Sequence, residues 1–399
     1  MDLISPEACG LSRERLDRIA PAFQKLIDDR VAPGFLLAVW RRGQLAYLQC
    51  LGWMDVEGRV PVQEQTLFRI YSMTKPLTAA AAMMLFEEGK LALADPVSRF
   101  IPGFTGFKVY REGGILEPAL REITILDLFL HTGGLGYGLF IDSPVEDLFR
   151  QAGIDLRKQL TYPYSLDELI RRVISLPLAN QPGERYRYSI GMDVLGAVVE
   201  RAADQPFGDF LQERIFSPLG MVDTSFYVPP EKCSRFAALY GPDGTGHLTR
   251  LDGSSGGPFN DPGAIQAGGS GLISTLADYL RFARLFLNRG ELDGARLLGR
   301  KTVEKMTRNH LPASLLPYSM DGIPHPGRGF GLGFGINLDE TQSNFSASDG
   351  AYSWSGAAST HFYIDPREEI IGVLLTQVLN NPLDFDPLFR QLVSQAIVD

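Results

Sequence analysis

Two repeat lengths of apolar positions divide this chain. Near the amino end Leu16, Ile19, Phe23, Leu26 and Ile27 recur every three or four residues, which predicts a helix within Leu11 to Asp29 capped by Ser12. The period then shortens. Phe35 to Trp40 and Leu45 to Gly52 read as strands flanking Arg41-Arg42-Gly43-Gln44, a hairpin turn. At the other end Thr360 to Ile364 and Ile370 to Gln377 form a second hairpin around Asp365-Pro366-Arg367-Glu368, and Pro387 to Val398 returns to helical spacing. Between these ends Ile123 to His131, Ser165 to Ile174, Ile190 to Ala203, Phe207 to Ile215 and Thr275 to Asn288 all carry apolar residues at helical spacing. One α+β arrangement covers the pattern: an antiparallel sheet built from both chain ends and flanked by helices, with a mainly helical region inserted. The expected division is a discontinuous sheet domain, residues 1–75 and 285–399, and a helical domain, residues 76–284, with the active site between them.

Glycine and proline concentrate in Gly241 to Gly271 and Asp321 to Gly335, expected as long loops or hairpin connections. The run Gly329-Phe-Gly-Leu-Gly-Phe-Gly335 misses the phosphate-loop spacing and alternates apolar residues, so it reads as a strand. With 45% hydrophobic and 21% charged residues among 399, the chain can bury a large core. A net charge of -9, with dispersed Lys and Arg, argues against nucleic acid or anionic membrane surfaces as partners. Residues Met1 to Ala20 lack the apolar run of an export signal, and no stretch is apolar enough to span a bilayer. Cys9, Cys50 and Cys233 are isolated, which suggests neither a disulfide framework nor a zinc site. Reduced thiols in a cytoplasm are expected.

The chemistry concentrates in three segments. Ser72-Met73-Thr74-Lys75 precedes a run of helix formers, and a lysine three residues beyond a serine shares its helix face, within reach of its proton. Pro76 requires that the helix begin near Ser72 or kink there. Four such residues also arise by chance, and Ser72 then reads as an ordinary cap. Second, Gln181-Pro-Gly-Glu-Arg-Tyr186-Arg-Tyr188-Ser189 is a turn that delivers Tyr188 to a helix start. A tyrosine beside an ammonium loses its proton more readily and becomes a candidate base, although packing is its commoner role. Third, Tyr352-Ser353-Trp354-Ser355-Gly356-Ala357-Ala358 places small residues before a strand, where the amides of Ala357 and Ser72 can form an oxyanion hole.

Taken in order, Ser72-x-x-Lys75, Tyr188-Ser189 after a Pro-Gly turn, and Trp354-Ser355-Gly356 resemble the serine β-lactamase and penicillin-binding superfamily, above all class C β-lactamases and family VIII carboxylesterases. His131-Thr-Gly-Gly-Leu135, Asp193-Val-Leu-Gly196 and 267–275 add to the resemblance, which runs from about Leu16 to Gln377. It implies a β-lactamase/transpeptidase-like fold, a nucleophilic Ser72, Lys75 helping to remove its proton, and Tyr188 as partner base and later proton donor; which of the two is the general base stays open. It also implies an acyl-enzyme, no cofactor and a small-molecule ester as substrate. Two departures matter. The Lys-Thr-Gly lysine that attracts an antibiotic carboxylate in β-lactamases is Trp354 here, and the asparagine of their tyrosine motif is Ile190. Both changes leave an apolar wall, which suits a neutral, short-chain ester better than a charged amide. Tyr137 and Trp354 are the expected pocket walls, with Gly356 beside them.

Rival readings remain. Gly253-Ser254-Ser255-Gly256-Gly257 fits the G-x-S-x-G elbow, but neither the strand nor the helix that the elbow needs is expected around it. Of the histidines, His131 closes a helix, where a cation is welcome, and His361 on a strand reads as structural; none has metal-ligand spacing. A β-lactamase, D-amino-acid peptidase or acyltransferase on the same scaffold is the near alternative, and a non-catalytic binding protein the distant one.

Overall fold

A computed structural model describes residues 3–139, 143–155, 161–244, 247–320 and 322–399; Asp321 and residues 245 and 246, inside the two expected loop stretches, lie outside it. Eight strands form one antiparallel sheet: β1 (Gly34–Arg41), β2 (Gln44–Asp55), β3 (Val60–Pro61), β4 (Arg328–Phe330), β5 (Gly335–Asn337), β6 (Tyr352–Gly356), β7 (Thr360–Asp365) and β8 (Ile370–Leu375). Their spatial order is β4-β5-β6-β7-β8-β1-β2-β3. The chain ends meet where β1 pairs with β8, Leu36 opposite Leu375 through Arg41 opposite Ile370.

Every residue of β1 is buried because the sheet is covered on both faces. Phe35, Leu37 and Val39 meet the terminal helices Ile19–Asp28 and Asp386–Ser394, while Leu36, Ala38 and Trp40 face the larger core on the other side. On the terminal side Phe23 packs edge-on against Phe35 at 4.9 Å, and Phe35 against Phe385 at 5.2 Å. On the other side lies the helix Thr74–Glu87, whose residues 74–85 are all buried. A helix enclosed all round must be apolar or must satisfy its polar groups internally. Met73, Leu77, Met83 and Leu85 meet the first condition, each contributing about 1.5–3 kcal/mol by burial. Thr74, Lys75 and Thr78 meet the second, each through a hydrogen bond to the backbone of residues 268–272.

Three expectations shift in detail. The amino-terminal helix breaks into Arg13–Leu16, with Ser12 capping it by accepting the Arg15 amide, and Ile19–Asp28. The helix expected over Phe207 to Ile215 relaxes after Phe207–Leu211 into a π turn, Gln212–Phe216. The glycine run is not one strand but the β4-β5 hairpin, Phe330 opposite Gly335, because Gly333 at φ 92° turns the chain back. Among the described residues no helix is long and apolar enough to cross a membrane.

Candidate active site

The Ser72 turn is held from three directions. Phe68–Arg69 pairs antiparallel with Ile273–Ser274. Ile70 then donates to the Leu272 carbonyl at 3.1 Å, and Met73 donates back to Ile70 at 2.9 Å. Between them Tyr71 adopts φ 40°, a left-handed conformation that costs a bulky residue roughly 1–3 kcal/mol. That sharp turn converts strand into the one-turn helix Tyr71–Met73 and directs Ser72 outward, while Met73 on the next position is buried. β6 presses against the same turn at Gly356, where a Cβ would lie 2.3 Å from the Ile70 carbonyl oxygen.

Beyond Ser72, three polar side chains of the Thr74–Glu87 helix bind one glycine-rich strap, residues 267–272. Thr74 accepts the Leu272 amide at 3.1 Å, Lys75 donates to the Gly269 carbonyl at 2.7 Å, and Thr78 donates to that of Gly268 at 2.7 Å. Asp193, fully buried on the helix Gly191–Ala203, accepts the Gly269 amide at 2.9 Å. A Cβ at Gly269 would sit 2.3 Å from Asp193 Oδ2, so glycine alone permits this approach. Burial pushes the Asp193 carboxyl up to about 6, against the opposing pull of the Lys75 ammonium and the Gly269 amide.

Tyr188 arrives on a segment fixed by its neighbours: Arg187 donates to the His131 carbonyl at 2.7 Å, Ser189 to His131 Nδ1 at 3.3 Å, and Ile190 to the Gly136 carbonyl at 3.2 Å. Ser189 Oγ, expected as the cap of the helix that follows, accepts its first amide, that of Gly191, at 3.3 Å, while the cap position itself falls to Ile190. The Tyr188 hydroxyl lies 2.8 Å from Ser72 Oγ, and Lys75 Nζ lies 3.1 Å from the same oxygen. Lys75 Nζ also reaches the Tyr137 hydroxyl at 3.3 Å and stands 4.7 Å from the Tyr188 ring centre. Two groups, one from the same helix face and one 116 residues on, thus converge on one serine oxygen.

That oxygen opens into a cavity of about 520 Å3. Ser72, Tyr137, Tyr188, Trp354, Gly356 and Ala357 are among the residues that line it. Trp354 packs against Tyr188 at 5.8 Å and Phe330 at 5.1 Å. Ala357, exposed in the turn after β6, makes no backbone hydrogen bond through its amide among the described residues. Ile190, expected in the apolar wall, is instead fully buried and does not reach the cavity, because it lies at the start of the enclosed Gly191–Ala203 helix.

The decoys fall elsewhere. Ser255 is exposed and does not line the cavity; a strand, Leu248–Asp252, does precede its turn, contrary to expectation, but only a short 3-10 turn, Pro258–Asn260, follows. His361 stands 3.6 Å from Asp384 and 3.9 Å from Asp386. His131 does close a helix, but not as a cation: burial, with the Lys75 charge nearby, drives its pKa well below the ordinary range. Sequence reasoning missed Asp193 as the support for Gly269, and missed Met320, Ile323, His325, Asn380 and Asn381 at the cavity wall. The motifs Asp193-Val-Leu-Gly196 and Ala267-Gly-Gly-Ser-Gly held the signal for the first, without showing that the two meet; the others come from loops without periodic pattern.

The family description "Beta-lactamase" matches residues 19–396. Protein Rv1367c of Mycobacterium tuberculosis is 37% identical over 370 residues, covering 91% of this chain and 90% of its own. Esterase EstB of Burkholderia gladioli is 32% identical over 399 residues, covering 94% and 93%. Among solved structures, that of EstCE1, "a hydrolase with promiscuous acyltransferase activity", superposes with a TM-score of 0.80 at 28% identity over 96% of this chain and 99% of its own. With residues 19–396 matched by that family description, the chain belongs to the β-lactamase family.

Proposed function

We propose that this chain is a serine hydrolase that cleaves carboxylic esters with a neutral, short acyl group through an acyl-enzyme on Ser72. The observation that carries the reading is the convergence of Tyr188 Oη and Lys75 Nζ on Ser72 Oγ, at 2.8 and 3.1 Å. The ester enters between the sheet domain, residues 1–75 and 285–399, and the helical domain, residues 76–284. Lys75 Nζ faces three acceptors, Gly269 O, Ser72 Oγ and Tyr137 Oη, one for each proton of an ammonium. We assign the general base to Tyr188 as its phenolate, the form that can accept the serine proton and become the phenol, with the Lys75 ammonium beside it stabilising that charge.

Ser72 Oγ attacks the ester carbonyl as its proton passes to Tyr188. The amides of Ser72 and Ala357 receive the oxyanion, a contribution of about 3–4 kcal/mol per donor in related acyl transfers. As the tetrahedral intermediate collapses, Tyr188 returns the proton to the departing alkoxide, leaving the acyl group on Ser72. Water, deprotonated by Tyr188, then releases the acid. Trp354 presents an indole where a β-lactamase presents a lysine, so the wall offers apolar area and no charge to the acyl half. The named activity of Esterase EstB supports the same reaction class, and dispersed basic residues with unpaired thiols fit a cytoplasmic setting.

The test is turnover of p-nitrophenyl acetate and butyrate, together with fluorophosphonate labelling followed by intact mass. One adduct on Ser72 that Ser72→Ala abolishes, with esters turned over faster than nitrocefin, supports the proposal. Faster nitrocefin turnover points to a β-lactamase, and absence of both labelling and turnover to a binding protein. A second reading, acyl transfer, is favoured by the description of EstCE1: an alcohol added as acceptor then yields a new ester in place of free acid.

A further inference from the structure

Tyr188 also borders a second cavity, of about 390 Å3, and is the only described residue that lines both. The turn that delivers Tyr188 supplies Asn180, Arg185 and Arg187 to this cavity, and the segment leading into the hairpin of Ser319–Met320 with Ile323–Pro324 supplies Tyr318 and Ser319. Among the described residues no Asp or Glu lines it, although the chain as a whole carries a net charge of -9. The nearest acids by sequence and contact are engaged elsewhere. Glu184 accepts the Gln181 amide at 2.8 Å and lies 3.9 Å from Arg111. Glu146, fully buried, takes Arg187 at 2.9 Å and so matches that charge. Arg185 is different: it is exposed, and among the described residues it has no carboxylate or other acceptor in reach. A guanidinium left unmatched in a concave, hydroxyl-bearing wall is complementary to a carboxylate, which it can hold through two parallel N–H···O bonds.

We infer that this cavity binds a carboxylate group, with Arg185 as its anchor. On the esterase reading, on which this rests, that carboxylate is carried by the alcohol half of the ester. The acyl half lies in the uncharged cavity, against the Ser72 and Ala357 amides. The alcohol half departs past Tyr188, which returns its proton, and Tyr188 is the residue that adjoins the second cavity. A free carboxylic acid has the same chemistry and is the other source of the group.

The experiment compares two butanoate esters that differ only at the tail of the alcohol, 4-(butanoyloxy)butanoate and 4-(butanoyloxy)butanamide, and measures binding of 4-hydroxybutanoate by calorimetry. Wild type is expected to prefer the carboxylate ester by about tenfold in kcat/KM at low salt, the preference shrinking in 1 M salt as the ion pair is screened. Arg185→Lys keeps part of the preference, Arg185→Gln brings the ratio of the two esters to about one, and Arg185→Glu reverses it. Arg185→Gln also weakens 4-hydroxybutanoate binding about tenfold. If the acid binds through Arg185 but the esters are not discriminated, the site stands and serves a free acid. If neither ester is cleaved while Arg185-dependent binding persists, the site stands and the esterase reading falls. Equal kcat/KM for the two esters in wild type, with acid binding indifferent to Arg185→Gln, overturns the inference.

Discussion

The two faces of the sheet use buried volume in opposite ways. Under the terminal helices, Phe23, Phe35, Phe385 and Phe389 interlock edge-to-face, and the buried cation Arg41 is answered by the Cys9 and Gly10 carbonyls, Asp399 and Glu368. On the opposite side, Tyr71 Oη, His131 Nε2, Asp193 Oδ2 and Trp354 Nε1 are all buried without a hydrogen-bond partner among the described residues, around a lysine and a left-handed tyrosine. Each such atom costs about 1–3 kcal/mol. Tyr47 Oη and Asp386 Oδ1 are similar orphans on the terminal side, where the left-handed residues Arg30, Arg42 and Glu369 sit in turns and not beside a reactive group. One face supplies stability; the other uses some of it to hold reactive groups where water alone would not keep them.

If that division is right, substitutions on the two sides should separate activity from stability. Ser72→Ala removes the group on which the site converges. It should lower kcat for p-nitrophenyl butyrate by about 10^4 or more while the thermal midpoint moves by no more than about 2 °C. Tyr188→Phe keeps the ring contacts with His131, Tyr137 and Trp354 but removes the base, and should cost about 10^2 to 10^4 in kcat, again with little change in midpoint. Phe35→Ala on the other face should lower the unfolding free energy by about 3–5 kcal/mol, read as a shifted urea midpoint, with kcat/KM per folded molecule within about twofold of wild type. A Phe35→Ala enzyme that stays folded yet loses its activity would show that the faces are coupled through the strands, and the comparison would fail.

The same contrast governs what could be read from the sequence. The terminal face was legible because its residues follow burial: the unbroken apolar run of β1, covered on both faces, and the three-four spacing in Ile19–Asp28, apolar on one. Ser72, Lys75 and Tyr188 were legible as ordered motifs. Their convergence was not, since it depends on the strap 267–272 and the Tyr71 turn, whose geometry has no repeat. Asp193 shows the difference well. In sequence it opens a motif at the start of a helix; only its approach to Gly269 makes it a support for Lys75. Ile190 erred the other way, because correspondence to a family motif fixes position along the chain and not which side of the helix start faces substrate. The loops that contribute Met320, His325 and Asn381 to the cavity carry no signal of either kind.

Asp193 gives the smallest expected effect and the one that ties the two kinds of behaviour together. Its carboxyl titrates at about 6 in the folded protein, against an ordinary value of 3.8. Between those values the folded state binds more protons than the unfolded chain, so the unfolding free energy falls as pH rises. The stability this group contributes is therefore complete below the unfolded value and lost as pH climbs through about 6, a change of roughly 3 kcal/mol. Activity should run in the opposite direction, because the ionised carboxylate is the form that balances the Lys75 ammonium and holds Gly269 in place. The expected result is an acid limb in log kcat/KM near pH 6 for wild type. Asp193→Asn should be about tenfold slower at pH 8 and lack that limb, while its unfolding free energy loses the matching pH dependence. A wild-type limb that survives in Asp193→Asn would assign the titration to another group, and would leave the buried carboxylate as a cost to folding without a catalytic return.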